Sequence, residues 1–301
     1  DADTFTVTLD AGQKLSVVVS GVDPSLITQI EVLDPNGALV ASASASAAGL
    51  SAIATDVPAM VAGTYSIRLS AAAGSGNYQL QVALNSTTNP EDFGGATDNT
   101  IATAVNLDNG AVPLQGTADR LGIASYTEVG TPDLYKFSLV TGQSATVVLT
   151  ELDSLADVIT LELLDAAGSV LASGLKDAGN VSQAIRAFVA PTTGTYYLRV
   201  TGTTVRLYDL VVTRKADFER EPDGVAATAQ DISVTGQVLG AFASRASITN
   251  VSALTADGNV RVAVVGTSGG DNAGFNAIVN QLNNDTFFDF TATLVTASQI
   301  D

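Results

Sequence analysis

The chain contains no cysteine, no histidine and no tryptophan among its 301 residues, and only a single methionine. Disulfides are thereby excluded as a source of stability, and so are zinc sites built from thiolate or imidazole. A serine nucleophile would have no histidine in the chain to serve as its base. Basic residues are also few, with 13 Lys and Arg against 31 Asp and Glu, giving a formal net charge of -18 and a pI near 4.1. Phosphate backbones need clustered Lys and Arg, and here only Arg214 and Lys215 adjoin, so nucleic acid is not an expected partner. No apolar run reaches the roughly 18 residues of a membrane span, and no signal peptide opens the chain. Residue 1 instead stands at the threshold of a strand, as expected for a mature or excised piece of a larger protein.

What is present is a repeat. Asp3-Thr4-Phe5-Thr6-Val7-Thr8-Leu9-Asp10-Ala11-Gly12-Gln13 recurs as Asp133-Leu134-Tyr135-Lys136-Phe137-Ser138-Leu139-Val140-Thr141-Gly142-Gln143. The same offset to within one residue relates Glu31-Val32-Leu33-Asp34 to Glu162-Leu163-Leu164-Asp165, Gly63-Thr64-Tyr65 to Gly194-Thr195-Tyr196, and Tyr78 to Tyr208. A duplication of this length copies a whole fold. Within each copy, apolar residues alternate with polar ones, as in Phe5, Val7 and Leu9 or Leu15, Val17 and Val19, a period-two pattern of half-buried strands. Asp34-Pro35-Asn36-Gly37 supplies a tight hairpin turn. Val158 to Leu164, the longest apolar stretch, is predicted to be a central strand buried on both faces. The expected fold is mainly β: two tandem antiparallel β-sandwiches of jelly-roll type, followed by an incomplete α/β segment.

Acidic, proline-containing lead-ins punctuate the array. Asn89-Pro90-Glu91-Asp92, then Thr103-Ala104-Val105-Asn106-Leu107, precede the second sandwich; Glu219-Arg220-Glu221-Pro222-Asp223, then Thr228-Ala229-Gln230-Asp231-Ile232, follow it. The predicted organisation is a first sandwich at 1–86, a lead-in and second sandwich at 87–215, a second lead-in and linker at 216–252, and the opening of an α/β domain at 253–301. In that last piece Asn259 to Val265 reads as a buried strand, Gly266 to Gly274 as a glycine-rich loop, Ala273 to Leu282 as a helix and Phe288 to Val295 as another strand.

The Asp-x-Phe/Tyr opening strand, the Gly-Gln turn, the Leu-Asp-Pro-Asn-Gly hairpin and the Gly-Thr-Tyr strand resemble the bacterial pre-peptidase C-terminal domain family over residues 1–84 and 131–213. The resemblance implies secreted, noncatalytic β-sandwich modules attached to proteases and other exported proteins. It also implies that related modules bind calcium or extracellular polymers. Its partners would be other domains of the same exported protein, an extracellular polymer or neighbouring copies, and its place the cell surface or the extracellular space.

Calcium takes six to eight oxygens, several of them from carboxylates gathered by loops. Glu91, Asp92 and Asp133 are predicted to converge at the first lead-in, and Glu219, Glu221 and Asp223 at the second; the plainer reading of each cluster is a hydrophilic linker. Asp3 and Asp133 also fit a capping role, each carboxylate closing a turn through a nearby amide. Tyr65, Tyr196, Tyr78 and Tyr208 are expected to pack with tethered hydroxyls. Gly266-Thr267-Ser268-Gly269-Gly270 has the form of a nucleophile elbow but lacks any histidine partner, so a tight turn is the favoured reading. The functional expectation is a noncatalytic spacer, adhesion or assembly module ordered by calcium. The alternatives are an accessory region of an exported hydrolase or protease, and a subunit of an extracellular filament or surface layer.

Overall fold

The computed structural model describes residues 2–114, 116–152, 159–176, 181–220 and 225–240, together with the backbone of 246–252 and 261–266. It separates into two units, 1–239 and 240–301. The first sandwich opens with β1 (Ala2–Leu9), β2 (Lys14–Gly21), β3 (Ile27–Leu33) and β4 (Leu39–Ser44), and closes with β5 (Ala52–Pro58), β6 (Gly63–Ala73) and β7 (Tyr78–Leu84). One sheet runs β1-β6-β3-β4, the other β5-β2-β7, and every pairing between them is antiparallel. Alternation along each strand sends Leu15, Val17, Ile30, Val32 and Ile67 into the space between the sheets, where all are buried.

The segment joining the copies contributes four short strands: β8 (Thr87–Thr88), β9 (Val105–Asn106), β10 (Val112–Pro113) and β11 (Asp119–Tyr126). The second sandwich then repeats the first through β12 (Asp133–Leu139), β13 (Ser144–Glu151), β14 (Ile159–Leu164), β15 (Val170–Ser173), β16 (Gln183–Val189), β17 (Gly194–Gly202) and β18 (Leu207–Arg214). Its sheets are larger, because the joining segment is woven into them. β9 adds to β12 to give the order β15-β14-β17-β12-β9, and β11 adds to β18 to give β10-β11-β18-β13-β16. The core holds Tyr135, Phe137, Leu161, Leu163, Leu198, Tyr208 and Leu210, joined by Leu107, Leu121 and Ile123 from the joining segment.

The same turn chemistry recurs in both copies. Asp34 Oδ1 accepts the amides of Asn36 and Ala38, each at 2.8 Å, and Asp165 Oδ1 accepts those of Ala167 at 2.9 Å and Ser169 at 2.8 Å. Each such turn ends on a glycine in the left-handed region, Gly37 at φ 83° and Gly168 at φ 82°, where a side chain would be strained. A cross-strand ion pair also recurs, Arg68 with Glu31 and Arg199 with Glu162.

β14 is interior to its sheet as predicted, but only one face is wholly buried: Thr160 is exposed and Glu162 half-exposed. Its outer face is polar enough to pair with Arg199 and is covered only near Leu164, where Ile101 and Ala104 pack.

After β18 come β19 (Asp217–Phe218) and β20 (Val238–Leu239), paired in parallel. In the second unit β21 (Ala246–Ser252) and β22 (Arg261–Gly266) form an antiparallel pair. β22 coincides with the strand expected near Val260. The glycine-rich loop with Ser268, the helix at 273–282 and the strand at 288–295 lie outside the described residues. Among the described residues there is no α-helix, and no helix is long and apolar enough to cross a membrane.

Candidate functional site

The two sandwiches meet at a joint built from small polar side chains. Thr87 and Thr88 form the two-residue β8, which pairs in parallel with Ile123 and Ala124 of β11, so the end of the first sandwich is zipped into a sheet of the second. Thr87 Oγ1 donates to Asp56 Oδ1 at 2.9 Å, and Ser16 Oγ donates to the Ser86 carbonyl at 2.7 Å. Asp56 stands at φ 57° in the left-handed region, nearly buried, and burial raises its pKa although Thr87 and Lys14 oppose the shift. Gly110 lies against this pair, with room for nothing larger: a Cβ there would stand 2.4 Å from Thr87 Oγ1 and 2.8 Å from Asp56 Oδ1. The end of the second sandwich makes a charged contact at the matching place, since Arg186 donates to Asp217 at 2.7 Å from the positions that Thr55 and Thr87 occupy one repeat earlier.

Beside the joint lies a cluster of carboxylates. Pro90 begins a single 3₁₀ turn, Glu91–Phe93, which ends on Gly94 at φ 74°. The turn presents Glu91 to the amide of Asp98, accepted by Oε2 at 2.9 Å, and Asp92 to the hydroxyl of Ser125, donated to Oδ2 at 2.8 Å. Asp98 is fully buried. Its Oδ2 accepts from Asn89 Nδ2 at 3.4 Å, while its Oδ1 has no hydrogen-bond partner. Its backbone carbonyl accepts the amide of Leu134 at 3.2 Å, which brings Asp98 alongside Asp133 at the start of β12. Asp133 accepts the hydroxyl of Tyr208 at 2.6 Å, and that hydroxyl in turn is bonded to Tyr135.

The electrostatics follow from crowding like charges in a poorly solvated place. Burial, the neighbouring Glu91 and the Asp133 charge push Asp98 up to about 9. Burial pushes Asp92 up to about 7, with Ser125 opposing, and pushes Asp133 up to about 7, with the Tyr208 hydroxyl opposing. An unpartnered buried carboxylate oxygen costs on the order of 1 to 3 kcal/mol, more when charged. Burial and crowding at the site thus favour the protonated forms of Asp92, Asp98 and Asp133.

Its donor chemistry fits a hard cation such as calcium, which takes carboxylate, amide and hydroxyl oxygens. Yet among the described residues no three carboxylates are drawn close enough around one point to hold a metal ion.

Of the predicted residues, the structure brings Glu91, Asp92 and Asp133 to one cluster. Glu221 and Asp223 lie outside the described residues, and Glu219 donates its backbone amide to the Leu239 carbonyl at 2.9 Å. Asp133 and Asp3 share a role, but their partner is a side chain and not an amide: Tyr78 donates to Asp3 at 2.7 Å just as Tyr208 does to Asp133. The tyrosine hydroxyls are tethered as expected, those of Tyr65 and Tyr196 to the carbonyls of Val61 at 3.0 Å and Thr192 at 2.7 Å. Sequence reasoning missed Asp98, the most buried acid of the group. The signal was available, because Asp98 precedes Thr103-Ala104 by the same five residues that separate Asp223 from Thr228-Ala229.

Residues 1–71 and 131–202 match the model of the family described as the bacterial pre-peptidase C-terminal domain. Among solved structures, the chain is similar to the pre-peptidase C-terminal domain of a collagenase from Bacillus anthracis, at 22% identity over 30% of this chain and 86% of that one, with a TM-score of 0.26. It is also similar to a mutant of PliG, a periplasmic inhibitor of g-type lysozyme from Escherichia coli, at 14% identity over 37% of this chain and 96% of that one, with a TM-score of 0.25. No curated protein matches. Residues 1–71 and 131–202, each within a sandwich of the same strand order, thus match the bacterial pre-peptidase C-terminal domain twice in tandem.

Proposed function

We propose that this chain is a noncatalytic module of an exported protein, a spacer whose two sandwiches are held as one body by the joint at 86–133 and stiffened there by calcium. The observation that supports this reading most is the weaving of the joining segment into the second sandwich. β8, β9 and β11 take part in its sheets, and the carboxylate cluster reaches from Asp92, which accepts from Ser125 of β11, to Asp133 at the start of β12. A tether that did no mechanical work would not need to bury Asp98 or Leu107.

To hold the ion, Glu91, Asp92, Asp98 and Asp133, with Asn89 and Ser125 as further oxygen donors, would have to draw closer around one point than they stand in this structure. The ion's charge would offset the burial and repulsion that raise the pKa values of Asp92, Asp98 and Asp133. Glu219, Glu221 and Asp223 are proposed as the corresponding set after the second sandwich. Similarity to a collagenase module also makes an extracellular polymer such as collagen a reasonable ligand to assay, although the exposed surface offers few aromatics.

Calorimetric titration of chelator-treated protein with calcium, paired with small-angle scattering, tests the reading. Heat of binding with a rise in melting temperature and a narrower distribution of particle lengths is expected. No heat and an unmoved melting temperature would refute calcium ordering, and a flexible-bead scattering profile with or without calcium would refute the rigid spacer.

A further inference from the structure

One corner of the repeat is closed in the first sandwich and open in the second. It lies where the hairpin turn before β4 or β15, Asp34–Gly37 or Asp165–Gly168, faces the glycine that begins β6 or β17, Gly63 or Gly194. In the first copy the Pro35 ring stands over that glycine, so that a Cβ on Gly63 would lie 2.7 Å from Pro35 Cγ and 3.1 Å from Pro35 Cβ. The second copy has Ala166 in place of the proline. A Cβ on Gly194 would meet nothing within 4 Å, and a cleft of about 410 Å³ occupies the corner, lined among others by Ala166, Ala167, Leu171, Thr193, Gly194 and Tyr196.

The walls of this cleft are held in place. Tyr196 is buried, its hydroxyl donates to the Thr192 carbonyl at 2.7 Å, and its ring meets Phe188 edge-on with centroids 5.7 Å apart. The Thr193 hydroxyl accepts the amide of Thr141 at 2.9 Å, which fixes the loop before β17 to the turn after β12. Asp165 supplies the only charge on the lining, and its Oδ1 is committed to the turn amides of Ala167 and Ser169. A phosphate or sulfate would find no cation there. A sugar would find no aromatic face, because the ring of Tyr196 is covered. The surface suits a small apolar group carried on a neutral or basic chain, since a net charge of -18 disfavours acidic ligands.

We propose that the cleft of the second sandwich binds a prolyl residue in an exposed loop of another polypeptide. The first sandwich shows which ring fits, because Pro35 stands on the same turn against the equivalent glycine. Two general properties favour proline further. Ordering its side chain costs almost no entropy, and its nitrogen carries no hydrogen that the threonines around the cleft would have to satisfy. The hydroxyl of Thr195, on the lining, is placed to donate to a peptide carbonyl beside the ring. Grooves that read long proline-rich helices are walled by exposed aromatics; here one ring is recognised, and not a run. The site is independent of the calcium reading and goes beyond the spacer role. Cleft and carboxylate cluster lie at opposite ends of β12, with Gly194 opposite Leu139 and Val200 opposite Asp133.

Titrating the isotope-labelled whole chain in chelator with the capped peptide acetyl-Ser-Pro-Asn-Gly-amide, followed by amide NMR shifts, tests the proposal. A contact of roughly fifteen non-hydrogen atoms corresponds to a Kd on the order of 1 mM. Shifts are expected at Ala167, Thr193 and Gly194 and not at Asn36 or Gly63, and acetyl-Ser-Ala-Asn-Gly-amide should bind at least about tenfold more weakly. Ala166→Pro gives the second copy the ring of the first and should abolish the shifts. Pro35→Ala should open the first copy and bring shifts to Asn36 and Gly63. If Ala166→Pro loses its strand circular dichroism, Gly194→Leu, whose side chain enters the open space, carries the test in its place. No shifts up to about 10 mM peptide, equal binding of the two peptides, shifts that persist in the filled variants, or a Pro35→Ala chain without new shifts would overturn the proposal.

Discussion

Stability of the calcium-free chain should fall as pH rises from about 5 to about 8, and Asp98→Asn should remove a large part of that fall. Asp92, Asp98 and Asp133 have folded-state pKa values of about 7, about 9 and about 7, all above the ordinary value of 3.8. The folded chain thus binds more protons than the unfolded chain. The contribution of these groups is fully present below the unfolded value near 3.8 and is lost as pH climbs through the folded values. Each pKa unit corresponds to about 1.4 kcal/mol, so by pH 7 each carboxylate costs about 4 kcal/mol relative to acid and the three together on the order of 10. That is the size of a domain's entire stability, roughly 5 to 15 kcal/mol. Relaxation around buried charges reduces such costs, leaving an expected decline of about 2 to 4 kcal/mol between pH 5 and 8.

Urea unfolding in chelator at several pH values measures it. Tyrosine fluorescence or circular dichroism must serve as the probe, since there is no tryptophan. In Asp98→Asn one titrating group is gone and the repulsion on its neighbours falls, so the profile should flatten. Calcium should restore the wild type at pH 7.5 and do little at pH 5, where Asp92, Asp98 and Asp133 are protonated. A flat wild-type profile, or one unchanged by Asp98→Asn, would refute the assignment of these carboxylates as a buried, proton-holding cluster.

Three further changes probe the joint and the repeat. Tyr208→Phe leaves buried Asp133 without its hydroxyl donor and should cost about 1 to 3 kcal/mol, whereas Tyr78→Phe removes the same bond to Asp3 at an exposed site and should cost under about 0.5 kcal/mol; equal losses in urea midpoints would contradict the burial argument. Gly110→Ala forces a methyl against Thr87 and Asp56 and should lower the melting temperature while broadening the particle in small-angle scattering, and an unaltered profile would show that the joint has slack. Phe137→Ala in the second core should cost about 3 to 5 kcal/mol, and a loss below about 1 kcal/mol would mean that this core is not the packed one described.

How much of this was legible in the sequence depended on having something to align. Strands β1, β2, β3, β6 and β7 and their counterparts β12, β13, β14, β17 and β18 announce themselves by alternation seen twice, whereas β5, β15 and β16 do not, and Asp34, Asp165, Gly37 and Gly168 mark their hairpins unaided. The joining segment offers no second described copy of comparable length. β8, β9 and β10 have two residues each, too short to show any period. β11 does alternate, with Leu121 and Ile123 inward, but Gly122 between them and the polar Ser125 obscure the pattern. The cluster was half visible for a similar reason. Glu91 and Asp92 stand out as adjacent acids, while Asp98, lodged between Thr97 and Asn99, looks like loop until β12 is seen to run past it.

A tandem array assembled this way shares its core across the joint. Leu107, Leu121 and Ile123 are covalently upstream of the second sandwich yet occupy its interior, at positions where the first sandwich shows Phe5 and Val82 to solvent. The cost of that difference can be ordered. Burying one such side chain is worth about 1.5 to 3 kcal/mol, so three together exceed any single turn or surface ion pair in the repeat, the Arg68 and Arg199 pairs included, which are worth at most about 1 kcal/mol each. The second sandwich should accordingly outlast the first in hydrogen exchange, with β13 and β18 protected longest and β1 and β7 exchanging earliest. Mass-resolved exchange on the chain would show it, and equal protection of β7 and β18 would mean that the joining segment adds no stability to the sheet it completes.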